Sequence, residues 1–447
     1  MINKLEIYNL FNQVDISIPF NDSKAKIFIS ENGLGKTTVL KILYAVLSRK
    51  FYKLASLEFE KIHLYFDTGE INIKKNDMEV YLLDKKKFSN EMIEIKNSLS
   101  ENNFITVLDS ARFSTSETIK ELPLMQYLFK IMPKIPKSYL LQLVKAYKIE
   151  LDNSLRLTDM KIAELFTSDI LYLPTYRRIE EDLRMLGLDD IDLLKVDEIF
   201  RSGMQDIQKK IDRVLSEVNS IFYKRISDED QQQIFYCIIK SLYEINTENK
   251  DEFDFIKTAM EMIYNEIETC GIESIIKRLD ISALGDKIGS LNKNEMLKEL
   301  ILDYKEIYEY YQNKIKLIAN FIDKCNNYLI DKSINYSEQS KTLQIVMNKK
   351  CENEKEENYK LNNMSSGEKQ IISLFSRLYF DLNQPGLIII DEPENSLSIE
   401  WQRKLLPDIV STTNCEYLIA ATHSPFIFDN ELNINTVALS EYIGSSR

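Results

Sequence analysis

Residues 27–38 read Ile27-Phe28-Ile29-Ser30-Glu31-Asn32-Gly33-Leu34-Gly35-Lys36-Thr37-Thr38. A short apolar strand runs into a glycine-containing loop, and the loop opens an amphipathic helix. In that order, backbone N–H groups can turn inward onto phosphate oxygens, and the positive end of the helix dipole adds to the pull. Asn32, Gly33 and Gly35 would shape the cradle, and Lys36 would reach the outer phosphates. The Thr37 hydroxyl would ligate Mg²⁺, with Thr38 beside it in the first helical turn. Ser30 stands where such loops begin with glycine; a small residue is tolerated there at ordinary backbone angles, so weakened rather than abolished binding is expected.

An acidic partner for this loop occurs far downstream. Leu387-Ile388-Ile389-Ile390 is an apolar run of the kind found in parallel strands buried on both faces, and it ends in Asp391-Glu392. Asp391 at the strand end can hold Mg²⁺ through water, and Glu392 can orient or deprotonate an attacking water. A strand ending in Asp-Glu is common by chance, so its weight comes from its companions.

Between these ends the sequence changes character. There is no proline between Pro174 and Pro385, and the stretch is rich in Lys, Glu, Leu, Ile and Asn, which predicts helix. The N-terminal part alternates like strands (Lys4–Tyr8, Val14–Ile18, Phe59–Phe66, Glu70–Lys74), and the C-terminal part repeats strand then helix, with Ile399–Val410 a helix and Tyr417–Ala420 a strand. The expected organisation is an N-terminal lobe at 1–85, a helical insertion at 86–334 and a C-terminal lobe at 335–447. Within the insertion, Met204, Ile207, Ile211, Val214, Val218 and Ile221 keep heptad spacing. So do Leu297, Ile301, Tyr304, Tyr308, Tyr311, Ile315, Ile318, Ile322, Cys325 and Leu329. A short antiparallel coiled-coil arm and a compact bundle both satisfy these stripes.

Met364-Ser365-Ser366-Gly367-Glu368-Lys369-Gln370 resembles the signature motif of ABC-type ATPases. It precedes Asp391 by 25 residues (366 to 391), as in that family. Asp391-Glu392-Pro393-Glu394-Asn395-Ser396-Leu397 resembles the family's joined Walker B and D-loop, and Ala421-Thr422-His423-Ser424-Pro425 its switch-histidine loop. The resemblance covers roughly 1–85 and 335–442. It implies an α/β P-loop ATPase head with a mixed sheet, split in sequence by the helical insertion, that hydrolyses ATP with Mg²⁺. It also implies that Ser365, Ser366 and Gly367 close over the γ-phosphate bound by a second copy, giving a homodimer or higher even oligomer joined head to tail around ATP. His423 would hydrogen-bond the γ-phosphate, with Lys36 and Glu392 completing the catalytic set.

Lys36 and Ser366 lie 330 residues apart (36 to 366), which is the split arrangement of chromosome-maintenance, RecF-like and overcoming-lysogeny (OLD) ATPases. The segments 391–397 and 422–426 look most like OLD-like ATPases of anti-phage systems, the ATPase subunits of Septu and PARIS among them. Leu171-Tyr172-Leu173-Pro174-Thr175-Tyr176-Arg177-Arg178 resembles the segment by which that group re-enters the nucleotide domain. Arg177 or Arg178 would then contact nucleotide or an interface, unless the pair is a solvated strand end. Only 24 residues follow His423 (423 to 447), too few for the nuclease domain of OLD nucleases. Asp189-Asp190-Ile191-Asp192 reads more readily as a helix cap or turn than as a metal site. A separate effector protein, a nuclease or toxin, is therefore the expected partner; a RecF-like repair ATPase on duplex DNA and a stand-alone regulatory ATPase are the alternatives.

Charge and cysteines bound the rest. The net charge of −13 gives no support to general nucleic-acid binding, which would need a local basic patch. Five scattered cysteines without CxxC argue against disulfide and zinc frameworks. No run approaches the roughly 20 apolar residues that span a bilayer, and the first residues lack a signal-peptide layout, so a cytoplasmic protein is expected.

Overall fold

The computed structural model describes residues 2–20, 23–29, 35–81, 88–99, 101–112, 119–120, 122–133, 135–149, 151, 153–175, 207–217, 310, 313–337, 342–347 and 364–445. Ser30, Asn32, Gly33, Arg177, Arg178, Asp189, Asp190, Asp192 and half of the heptad positions lie outside these residues.

Two compact units emerge: one of 1–203, 327–332 and 347–447, the other of 204–326 and 333–346. The first is built on two sheets. One is antiparallel, in the order β12 (Ile443–Ser445), β2 (Val14–Pro19), β1 (Ile2–Leu10), β4 (Lys61–Phe66), β5 (Gly69–Lys74). Its strands alternate as half-buried strands should: Ile62, Leu64 and Phe66 of β4 are buried while Lys61, His63 and Tyr65 are partly exposed.

The second sheet is parallel, in the order β11 (Thr436–Ala438), β3 (Ala25–Ile29), β10 (Cys415–Thr422), β9 (Gly386–Asp391), β6 (Asp169–Leu173). Every residue of β9 is buried, as expected for an apolar run with strands on both sides. Strands from both ends of the chain thus share one sheet, with β3 entering from the N-terminal lobe. Helix α1 (Lys36–Leu47) packs across β9 and β10.

After the short α2 (Tyr52–Ala55) come α3 (Asn90–Ser98), α4 (Glu101–Ser110), α5 (Pro123–Ile131), α6 (Lys137–Ala146) and α7 (Asn153–Leu165). Met92, Phe104, Leu108, Val144 and Ile162 from these helices join Leu5, Ile7, Leu40 and Ile73 in one core. The lobe is completed by α8 (Ser366–Phe380) and α9 (Ile399–Val410). Helix α9 has the bounds read from sequence, because the Ser398 side chain accepts from Trp401 N and stops it at its start.

In the second unit, helical segments cover 207–217 and 313–326, and β7 (Lys332–Ser337) pairs with β8 (Thr342–Met347), the end residues Lys332 and Met347 belonging to the first unit. Ile207, Ile211, Val214, Ile318 and Cys325 of the predicted stripes are buried. Ile315 and Ile322 are only partly buried, while Phe321, off the stripe, is fully buried.

Candidate functional site: the carboxyl edge of the parallel sheet

Strand register decides what meets here. Ile29 lies opposite Thr422, and Ala421 opposite Asp391, so β3, β10 and β9 end together. Ligands of open parallel sheets bind outside such carboxyl ends. The start of α1, the turn after β9 and the loop after β10 therefore face one another.

Helix α1 begins with Gly35 in the left-handed region (φ 83°), and no side chain caps it. A Cβ would be strained at that φ, and the uncapped start leaves amide hydrogens for an anionic ligand. Lys36 is the first helical residue, 7% exposed, and its Nζ lies 3.4 Å from His423 Nδ1. Burial pulls the Lys36 ammonium below the ordinary lysine range; the carboxylates of Asp391, Glu392 and Glu394 oppose that shift. Thr37 and Thr38 follow in the first turn, both partly exposed.

Asp391 ends β9 and is 2% exposed; its Oδ2 accepts a hydrogen bond from Thr175 Oγ1 at 3.0 Å. Thr175 comes just after β6, the edge strand paired with β9. Glu392 then turns sharply, with φ 50° and its N–H donating to Ala421 O at 2.8 Å. Its carboxylate is steadied by Asn395 Nδ2 at 3.2 Å. A non-glycine residue held at positive φ costs energy, so packing around this turn has to maintain it.

The loop after β10 is tied to that turn by Glu394. Its Oε1 accepts from His423 N (2.7 Å) and Ser424 N (3.2 Å), and its Oε2 accepts from Thr422 Oγ1 (2.8 Å). Gln402 on α9 braces the other side. It accepts from Ser424 Oγ at 2.6 Å and donates to Leu397 O at 3.0 Å.

Ser365, Ser366 and Gly367 open α8. Ser365 is the N-cap, its Oγ accepting from Glu368 N (3.3 Å) while Glu368 Oε2 accepts from Ser365 N (2.7 Å), a reciprocal capping box. Lys332 Nζ donates to both Glu368 oxygens, at 2.9 and 3.0 Å. Burial would raise the Glu368 carboxyl, but the Lys332 and Ser365 hydrogen bonds outweigh it and hold it below the usual range. Gly367 packs so closely on the Asp391–Leu397 turn that a Cβ would lie 2.5 Å from Ser396 O. Ser365 and Ser366 are exposed.

A family profile for the AAA ATPase domain matches residues 1–428. The chain belongs to the AAA ATPase domain family. As a member it is an ATP-binding P-loop ATPase, its mixed α/β head assembled from both ends of the chain. Two solved structures can be set beside it. One is the Smc head domain with an extended coiled coil bound to the C-terminal domain of ScpA, from Pyrococcus furiosus (14% identity, TM-score 0.38, 99% of this chain and 96% of that one). The other is the SmcHead bound to the C-winged helix domain of ScpA (11%, 0.38, 99% and 97%). No curated protein matches the chain. Among the described residues no helix is long and apolar enough to cross a membrane.

The donor set suits the nucleotide and Mg²⁺ that the family implies. An uncapped helix start and a buried ammonium would receive phosphate, and a buried carboxylate stands at the same edge for a hard cation. The structure brings together Gly35, Lys36, Asp391, Glu392 and His423, with Thr37 and Thr38 on the turn that carries Lys36. Three residues of this edge lie in the motifs quoted from sequence but carry no role of their own there: Thr175, Glu394 and Asn395. Glu394 had one visible signal, its place two residues beyond Glu392 in the D-loop-like segment.

Proposed function

We propose that this AAA ATPase-domain chain hydrolyses ATP at composite sites. Each would join Lys36, Asp391, Glu392 and His423 of one copy to Ser365, Ser366 and Gly367 of a second copy bound head to tail. The observation that carries this reading is the meeting of Lys36, Asp391, Glu392 and His423 at one sheet edge, while the signature-like turn offers exposed serines at a helix start. Thr37 and Asp391 would hold Mg²⁺, which supplies charge neutralisation to the phosphates when bound. Lys36 would bind the outer phosphates. Glu392, steadied by Asn395, would orient the attacking water and take its proton. His423 would donate to the γ-phosphate from the loop that Glu394 holds.

The test is complementation between two defective proteins. Lys36→Ala and Ser366→Arg proteins should each be inactive, and a mixture should regain part of the activity, since one mixed interface keeps both intact halves. Mixtures that stay inactive despite demonstrated subunit exchange would rule out sites shared between copies.

The resemblance of 391–397 and 422–426 to OLD-like ATPases supports a narrower role. On that reading the chain is the nucleotide-controlled sensor or scaffold of an anti-phage system, holding or releasing a separate nuclease or toxin. The purified chain should then leave plasmid, linear DNA and tRNA intact with Mg²⁺ or Mn²⁺. Cleavage by the chain itself would place the effector within it and defeat the partner model.

A further inference from the structure

We propose that Glu394 is a positioning residue for turnover, which sets the switch loop so that the His423 ring stands beside Lys36. The inference rests on the site reading above. Glu394 is the point where two catalytic loops are joined: it lies in the turn that begins with Glu392, yet its carboxylate is spent on the loop after β10. Both backbone N–H groups at 423 and 424 donate to one oxygen, and the Thr422 hydroxyl donates to the other. Thr422 Oγ1 also accepts from Ser424 N at 3.0 Å, so the three residues form one closed network around the carboxylate.

Geometry makes this more than a surface staple. The loop is short, and β10 fixes it only as far as Thr422. Beyond that strand end, His423 N is anchored by Glu394 Oε1 at 2.7 Å, while the ring lies within 3.4 Å of Lys36 Nζ. An anchored backbone with an exposed ring leaves the imidazole only its side-chain torsions. The turn bearing Glu394 has positive φ at both Glu392 and Ser396, so its shape is set by packing rather than by backbone preference. A shift of that turn would displace the water-orienting carboxylate and the switch histidine together. Charge-assisted hydrogen bonds of this kind are the strong ones, and three on one carboxylate make the coupling stiff.

The experiment compares full-length Glu394→Ala, Glu394→Gln, His423→Ala and the Glu394→Ala/His423→Ala double variant. ATP turnover gives kcat and KM, a fluorescent ATP analogue gives Kd, and a thermal melt gives Tm. Glu394→Ala should lower kcat about tenfold or more while KM and Kd stay within about threefold. Glu394→Gln should recover most of kcat, because its amide oxygen still accepts from the N–H groups of His423 and Ser424. The double variant should be no slower than the slower single variant, since both changes remove the same placed ring. Wild-type kcat in Glu394→Ala, losses that multiply in the double variant, or a Gln variant as slow as Ala would each overturn the proposal. If Glu394→Ala does not fold, Thr422→Val removes one of the three bonds and should give a smaller loss of kcat; an unchanged kcat there would overturn it as well. Wild-type turnover in His423→Ala would defeat the site reading itself. A slow His423→Ala beside a wild-type Glu394→Ala would defeat this inference alone.

Discussion

Thr175 Oγ1 donates a hydrogen bond to Asp391 Oδ2 at 3.0 Å, linking residues 216 positions apart in a buried setting. The hydroxyl fixes one oxygen of the carboxylate expected to hold Mg²⁺. Thr175→Val keeps the shape and removes the donor, so the carboxylate loses a partner where water enters poorly. The expected result is a stability loss of about 1–3 kcal/mol, together with a several-fold rise in the Mg²⁺ needed for half-maximal turnover. Denaturant melts and a Mg²⁺ titration of phosphate release check both. An unchanged Mg²⁺ requirement would leave Thr175 with a purely structural role.

Glu392 separates binding from chemistry. Glu392→Gln preserves size and the Asn395 contact but removes the base, while Lys36 and Asp391 remain in place. Nucleotide affinity should stay near that of the wild type and turnover should fall by roughly two orders of magnitude, the usual contribution of a general base. Equilibrium binding and steady-state phosphate release on one preparation decide the matter. Turnover at the wild-type rate would refute the assigned role.

A buried acid away from the nucleotide edge predicts a pH effect on folding. Asp109 is 2% exposed; burial pushes its carboxyl up to about 6, against the lowering pull of Arg112 and of the Tyr81 hydroxyl. In the unfolded chain the group titrates near 3.9. The folded state therefore binds the proton more tightly. There is no penalty below about pH 4, and stability falls as pH rises from about 4 to 6. The cost is complete above that and amounts to roughly 3 kcal/mol for a shift of about two units. Asp109→Asn should shrink this decline to the part left by neighbouring Asp159, whose carboxyl is also raised by burial, and denaturant unfolding of both proteins between pH 4 and 7 measures it. Parallel pH profiles would show that Asp109 does not titrate in this range.

The local elements that carry the candidate site are largely legible in the amino-acid sequence, because their signals are local. An apolar run, a glycine able to take φ 83° and an amphipathic helix must follow one another to make the phosphate loop, and residues 27–47 state all three in order. Asp391-Glu392 at the end of a wholly buried strand is equally local, and so is the Ser398 cap of α9. The helices at 90–165 fall within the expected 86–334 insertion, and their apolar faces alone do not reveal that they share a core with β1, β4 and β5. Nor could sequence spacing announce that Lys36 and His423 meet across 387 residues, that Thr175 reaches Asp391, or that Glu394 holds the loop after β10. Those contacts depend on the order β3, β10, β9, β6, in which β3 and β10, and likewise β9 and β6, are far apart along the chain. Periodicity can state which face of a strand is apolar, but the neighbour of a strand is chosen by packing of the whole sheet, and the side chains at its carboxyl edge meet only after that choice.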